Sequence, residues 1–314
     1  MAEVVVGRFP PPLGGVSVFV QRKFLSIKER GGKYIDFGEK AWILSLVRLS
    51  ARRDNVFLLN SASLKVLAVF FVFGILSRTI LYDHNASRHL WRNNLLAFVY
   101  IFFVRRLLAV RVVHQHLVDE YGLRGCGDKV AVESPFIPPN ESERQQVLGT
   151  YPREVVEFIN DPRPFKVVTA AWRYSVDADG RDLYGIDSLV LLINHLLSAG
   201  IESRFLVAFG DFNVENIPRP LLDQLLELRR TGYLIVLEGQ RELWPIFDKV
   251  DLFLRLTSTD GESVSVLEAL HFDCSVLASN VVPRPAAVVT YKYGDKSDLI
   301  EKFFELYKCC ASEK

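Results

Sequence analysis

Cysteine and surplus charge are both scarce in this chain. Its 314 residues hold four cysteines, Cys126, Cys274, Cys309 and Cys310, with no CxxC pair and no histidine at zinc-ligand spacing. That pattern excludes a disulfide scaffold and a zinc knuckle and reads as reduced thiols in a reducing compartment. The 38 Lys and Arg nearly cancel the 37 Asp and Glu, so the positive excess that phosphate neutralisation on nucleic acid demands is missing. Long apolar runs are missing too. Residues 64–81 are broken by Gly74, Ser77 and Arg78, and residues 95–113 carry Arg105, Arg106 and Arg111; a bilayer-spanning helix needs ~20 apolar residues with few charges. The start of the chain has Glu3 and a short run, 4–6, that stops at Gly7, unlike a signal peptide. The expectation is a cytoplasmic protein. Its Arg-flanked aromatic run at 98–103 is also suited to peripheral contact with the inner face of a membrane.

What is present is enough apolar mass, 49% of the residues, for two cores of ordinary domain size. Short β-rich runs alternate with longer helical patterns, the sequence form of βαβ units and parallel sheets. Strands are expected near 3–9, 33–37, 56–60, 79–83, 109–113 and 129–133, with helices near 16–30, 40–53, 62–76 and 90–104. Proline-dense residues 134–164 mark a boundary, so domains of 1–150 and 151–314 are expected. The alternation restarts with strands near 165–171, 204–209, 233–237, 250–256 and 274–279, and helices near 186–199, 218–231, 241–248, 263–271 and 296–309. The last helix, with Leu299, Ile300, Phe303, Phe304 and Leu306, has an amphipathic pattern. Both halves read as doubly wound α/β units, which bind ligands beyond the carboxyl ends of their strands.

The most informative stretch is DLFLRLTSTDGESVSVLEALHFDCSVLASNVVPRP, from Asp251. A strand ends near Leu256, a polar turn follows, and a helix begins near Ser263, so free backbone N–H groups and a positive partial charge form an anion site. Asp260 and Glu268 are spaced just over two helical turns apart, two carboxylates suited to sugar and ribose hydroxyls. The segment resembles the retaining glycosyltransferases of family 4, whose signature is an acidic residue, seven others, then Glu-Ala-Leu or Glu-Ala-Met. Here it is Asp260, GESVSVL, then Glu268, Ala269 and Leu270, with Asp where Glu is more usual. The resemblance implies that Asp260 approaches the donor sugar, that amides around Glu262, Ser263 and Val264 bind sugar and phosphate, and that Glu268 holds the ribose.

Two further segments resemble the same family. Phe9-Pro-Pro-Pro-Leu-Gly-Gly-Val, with Gly14 and Gly15 between a strand and a helix, is similar to its Gly-Gly-Val loop, which faces the diphosphate and acceptor across a cleft. Val168 to Arg173, followed by Leu183-Tyr184-Gly185, is similar to the segment in which an Arg and a Lys clamp the donor phosphates. Arg173 carries over. Tyr184 stands at the lysine position, with Arg181 the candidate replacement. A guanidinium aimed at a departing diphosphate lowers the barrier without a metal. His84 is the best-placed histidine to approach the sugar, and Glu238 follows the strand where the family places the nucleotide base. His114 and His116 would share one face of a strand, a pair that lacks a third metal ligand.

The resemblance implies a GT-B fold, two Rossmann-like domains facing a cleft with the last helix packing back on the first, and catalytic residues Asp260, Arg173 and His84. The implied activity moves a hexose from a nucleotide diphosphate sugar, UDP-sugar ahead of GDP-mannose, to a glycan or lipid-linked oligosaccharide. The forms of its motifs resemble bacterial capsule and lipopolysaccharide enzymes, and no metal or other cofactor is implied. Two alternatives stay open: a nucleotide-sugar epimerase of the same fold, and a non-catalytic partner subunit with a decayed donor site.

Overall fold

The computed structural model describes residues 2–177 and 179–312, without the side chains of residues 88, 311 and 312. The chain forms two compact units, Met1–Pro138 and Pro139–Lys314.

The first unit is built on six parallel strands, β1 (Glu3–Gly7), β2 (Lys33–Asp36), β3 (Val56–Leu59), β4 (Thr79–Asp83), β5 (Ala109–Val112) and β6 (Val130–Val132), in the order β2-β1-β3-β4-β5-β6. Its helices are α1 (Gly15–Lys28), α2 (Trp42–Ser50), α3 (Leu64–Val72), α4 (Asn94–Val104) and α5 (Gln115–Gly122). The step from β1 to β2 runs in one direction and every later step in the other. Right-handed crossovers therefore place α1 on one face and α2 to α5 on the opposite face. The cores follow that division. Phe19, Val20 and Ile27 of α1 pack with Val5 and Leu58, whereas Leu46, Leu67, Phe70, Tyr100, Val104, Leu117 and Tyr121 pack with Val4, Val6, Phe57 and Leu59.

The second unit opens with α6 (Arg144–Leu148) and α7 (Arg153–Asn160), then alternates β7 (Phe165–Ala171), α8 (Ile186–Ser198), β8 (Ser203–Phe209), α9 (Arg219–Arg230), β9 (Leu234–Glu238), β10 (Leu252–Arg255), α10 (Val264–His271), β11 (Ser275–Ser279), β12 (Val289–Tyr291) and α11 (Lys296–Ser312). The parallel sheet runs β12-β11-β10-β7-β8-β9. These strands are apolar on both faces because helices cover both, the usual condition of an all-parallel sheet.

The structure departs from the sequence reading at several points. The units divide before α6, earlier than the expected break after residue 150, because α6 belongs to the second unit. There Arg144 Nη1 donates to Asp248 Oδ1 at 3.0 Å and the Pro245 carbonyl at 3.3 Å, and its guanidinium lies 5.0 Å from the Trp244 ring. Within the second unit, α11 buries Leu299 and Phe303 in the core, with Phe303 against Phe165. The expected helix at 241–248 is a 3-10 turn, Trp244–Lys249, with Pro245 in its first positions. α5 and β12 were not anticipated: α5 buries only Leu117 and Tyr121, and β12 has three residues.

Candidate active site

In the second unit β7 leads outward through β8 to β9, and β10 then returns to the other side of β7. That reversal is a topological switch point, where the loops leaving two neighbouring parallel strands part and open a crevice at their carboxyl ends. The loops concerned begin at Trp172–Arg173 and at Leu256. The register Leu254↔Thr169, sealed by Thr169 Oγ1 donating to the Leu254 carbonyl at 3.0 Å, puts them side by side. The turn before α8 closes on them: Ser258 N donates to the Leu183 carbonyl at 3.0 Å. Gly185, at φ +71°, approaches so closely that a Cβ there would lie 2.4 Å from the Leu256 carbonyl oxygen. Only glycine meets both requirements.

The turn 256–263 holds a charge cluster that the sequence reading did not assemble. Asp260 accepts from Arg255 Nε at 3.0 Å and Nη2 at 2.8 Å, from Arg284 Nη1 at 2.9 Å, and from its neighbour Gly261 N at 3.0 Å. A carboxylate has about four lone-pair sites, so Asp260 is saturated by protein donors rather than standing free for a sugar hydroxyl. Burial by itself would push its carboxyl up, but the two guanidiniums outweigh that effect and hold it below the usual carboxylate range. Two guanidiniums against one carboxylate leave the cluster with one net positive charge. Asp260 lies in the turn that leads into α10, whose N-cap Ser263 makes no side-chain cap and shares its hydroxyl with Ser265 at 3.1 Å. The uncapped amides and dipole of α10 add to the positive potential. Arg284 Nη2 and the Thr257 hydroxyl are buried without a hydrogen-bond partner.

The remaining sequence candidates of this unit are distributed around the turn. Val264 opens α10, and Glu268 lies one turn further along and is buried. The Glu262 carboxyl is half-buried, and burial raises its pKa. Arg173 is exposed and takes part in no ion pair among the described residues. Arg181, the expected substitute for the family's lysine, is committed to Asp177 at 2.9 Å and Asp179 at 2.5 Å. Arg255 lies within electrostatic reach of Tyr184. Glu238 ends β9 with its carboxylate 3.1 Å from Arg229. A single charged residue at the end of the apolar strand Leu252–Arg255 was the available signal for Arg255; Arg284, far along the chain, offered none.

In the first unit the switch point lies between β1 and β3. Gly14 is the N-cap of α1, its N–H bonded to Ser17 Oγ at 2.9 Å, and Gly15 is the first helical residue. Gly7, which the sequence reading did not single out, has the tighter packing: a Cβ there would meet Val20 at 2.8 Å and Asn60 at 3.2 Å. Asn60 follows β3, and its amide nitrogen donates to the carbonyls of Leu58 at 3.1 Å and Val6 at 3.3 Å. Those bonds orient Oδ1 toward His84, whose Nε2 lies 3.1 Å away. His84 Nε2 therefore carries the proton, and Nδ1 is the ring's acceptor.

Burial, with Phe19 edge-on at 4.9 Å, lowers the His84 pKa to about 4. His84 is neutral at pH 7. Because the unfolded chain takes up this proton near pH 6.5 and the native state does not, His84 costs no stability above that pH. Between about pH 6.5 and 4 it costs roughly 1.4 kcal/mol per pH unit. Urea denaturation of wild type and His84→Gln across pH 7 to 4 should show the difference between them shrinking by about 3 kcal/mol. A constant difference would mean that the ring is protonated in place. His114 and His116 do not share a strand face: His114 is the N-cap of α5, and the two rings stack at 5.3 Å. Among the described residues no three His, Cys, Asp or Glu side chains are grouped to hold a metal.

Neither a protein-family profile nor a curated protein sequence matches the chain. Solved structures do match. Anabaena HepE in complex with UDP and glucose superposes with a TM-score of 0.63 at 13% identity, over 98% of this chain and 89% of that one. The UDP-forming α,α-trehalose-phosphate synthase of Burkholderia xenovorans gives 0.65 at 12% identity, over 98% and 92%. WaaG, a glycosyltransferase involved in lipopolysaccharide biosynthesis, gives 0.59 at 11%, over 98% and 90%. The fold is GT-B. Both Rossmann-like units take part in the match. The GT-B assignment explains why each unit has its switch point beside β1 or β7, the first strand of its own sheet.

Proposed function

We infer that the chain is a glycosyltransferase that moves a sugar from a nucleotide diphosphate sugar, most readily a UDP-sugar, to a hydroxyl of a glycan or lipid-linked oligosaccharide. The observation that carries this reading is the positive turn at the β7/β10 switch point, where Arg255, Arg284 and the uncapped start of α10 face the needs of a diphosphate. The likeness to HepE, whose structure holds UDP and glucose, supports a UDP-sugar donor, and the likeness to WaaG, a glycosyltransferase of lipopolysaccharide biosynthesis, supports sugar transfer.

In this reading the bond between sugar C1 and the diphosphate oxygen breaks, and the acceptor hydroxyl forms the new C1–O bond and gives up its proton. The diphosphate gains negative charge as it leaves. Exposed Arg173, Arg255 and the amides of Glu262, Ser263 and Val264 receive it, a preorganised electrostatic stabilisation that needs no metal. Asp260 holds Arg255 and Arg284 in place, Glu268 takes the ribose, and Glu238 marks the base side. Gly14, Gly15 and His84 belong to the acceptor-binding half. Family resemblance extends the proposal to retention of anomeric configuration and to bacterial surface-polysaccharide assembly.

The test is a thermal-shift screen of the full chain against UDP, GDP, ADP, CMP and dTDP, with and without EDTA. UDP at about 100 times its Kd should stabilise by roughly 2.7 kcal/mol, seen as a rise of a few degrees. The rise should be unchanged by EDTA and lost in Glu268→Ala. No shift with any diphosphate would sink the enzyme reading and leave a non-catalytic partner subunit.

A further inference from the structure

The face of the first unit formed by α3 and α4 has features that sugar transfer does not use. Val72 is 80% exposed, Phe98 73% and Leu95 70%, with Phe71, Phe102 and Leu108 also exposed. The two helices pack against each other. Leu95, Phe98 and Phe102 follow helical spacing along the outside of α4, and Phe102 meets Phe71 of α3 at 5.5 Å. The Arg106 guanidinium lies 3.7 Å over the Phe102 ring and 5.7 Å from Phe71. Lys65, Arg92 and Arg105 are exposed on the same two helices or at their ends. From Lys40 to Arg111 the chain has eleven Lys and Arg against two acids, Asp54 and Asp83. Asp83 is buried. α3 and α4 themselves contain no acidic residue.

An apolar aromatic stripe on two helices that carry no acid, with arginines beside it, fits one occupant best. A protein surface would present mixed charge, whereas an anionic lipid leaflet offers acyl chains for the stripe and headgroup phosphates for the arginines. Among the described residues no helix is long and apolar enough to cross a membrane. We propose that the outer face of α3 and α4 is a docking surface for anionic bilayers, with Val72, Leu95, Phe98 and Phe102 entering the interface and Arg105 and Arg106 pairing with lipid phosphates.

The experiment is co-sedimentation of the full chain with phosphatidylcholine vesicles and with vesicles carrying about 30% phosphatidylglycerol, at about 0.1 M salt. Wild type should bind the anionic vesicles and not the neutral ones, and binding should weaken as salt rises. Val72→Glu with Phe98→Glu, and Arg105→Glu with Arg106→Glu, should each lose about tenfold or more of the partition coefficient. Both pairs are exposed, so melting temperatures and UDP binding should stay at wild-type values, which separates this surface from the donor site. Three results would overturn the proposal: no binding of wild type to anionic vesicles, equal binding by both double variants, or a vesicle-free dimer that Phe98→Glu converts to monomer, which would assign the patch to a second copy.

Discussion

Asp260→Asn is expected to destabilise the second unit by about 3–5 kcal/mol, because it leaves two buried guanidiniums without their shared counter-charge. The side chains of Arg284 and Arg255 are only 3% and 15% exposed, so water cannot take over that role. Asn can accept one of the bonds but carries no charge to balance either cation. Urea denaturation followed by tryptophan fluorescence at pH 7 measures the loss. A change below about 1 kcal/mol would mean that the pairs are solvent-screened and structurally idle. Native-state depression of the Asp260 pKa makes its contribution complete above the unfolded value of 3.8. That contribution is lost as pH falls through the lower native value. The variant's deficit should therefore narrow in acid. At temperatures where the variant is folded, UDP affinity should fall as well, since Arg255 is no longer held at the turn.

Arg173→Ala should act in the opposite way, on rate and not on stability. Its side chain is exposed and in no ion pair among the described residues, so unfolding free energy should move by less than about 0.5 kcal/mol. If it meets the departing diphosphate, kcat should fall by roughly 10²–10³, the usual effect of removing one preorganised donor at developing charge. Steady-state kinetics with a UDP-sugar donor reads this directly. A rise in KM at constant kcat would place Arg173 in ground-state binding, and unchanged kinetics would remove it from the site.

The contrast between these two arginine environments shows how far the residues could be read along the chain. Arg173 can be proposed along the chain because its strand, turn and helix are contiguous. The triad of Arg255, Asp260 and Arg284 cannot, because a linear signature pairs Asp260 with a sugar, while Arg284 arrives from beyond β11. His84 was singled out for its place after a strand. Its partner Asn60 comes from the end of the neighbouring parallel strand, and that pairing is what gives the ring its tautomer. The missing lysine was assigned to Arg181 by nearness in sequence, but Asp177 and Asp179 are nearer still and take it up locally.

Two parallel sheets were legible from the residues alone because a strand covered on both faces must be apolar throughout. Val4–Val5–Val6, Phe57–Leu58–Leu59 and Leu252–Phe253–Leu254 are unmistakable in that respect, and the helices between them repeat every three to four residues. Short or polar elements, α5 and β12, carry too little periodicity to be seen. What only the tertiary structure decided is the electrostatics: which carboxylate is spent on which guanidinium, which histidine is kept neutral, and which arginines remain free on the surface. Burial patterns repeat along a chain and can be counted. Ion pairing and pKa depend on distances of a few ångströms between residues far apart in sequence, and on how much water reaches them, and those are set only when the sheets and helices pack.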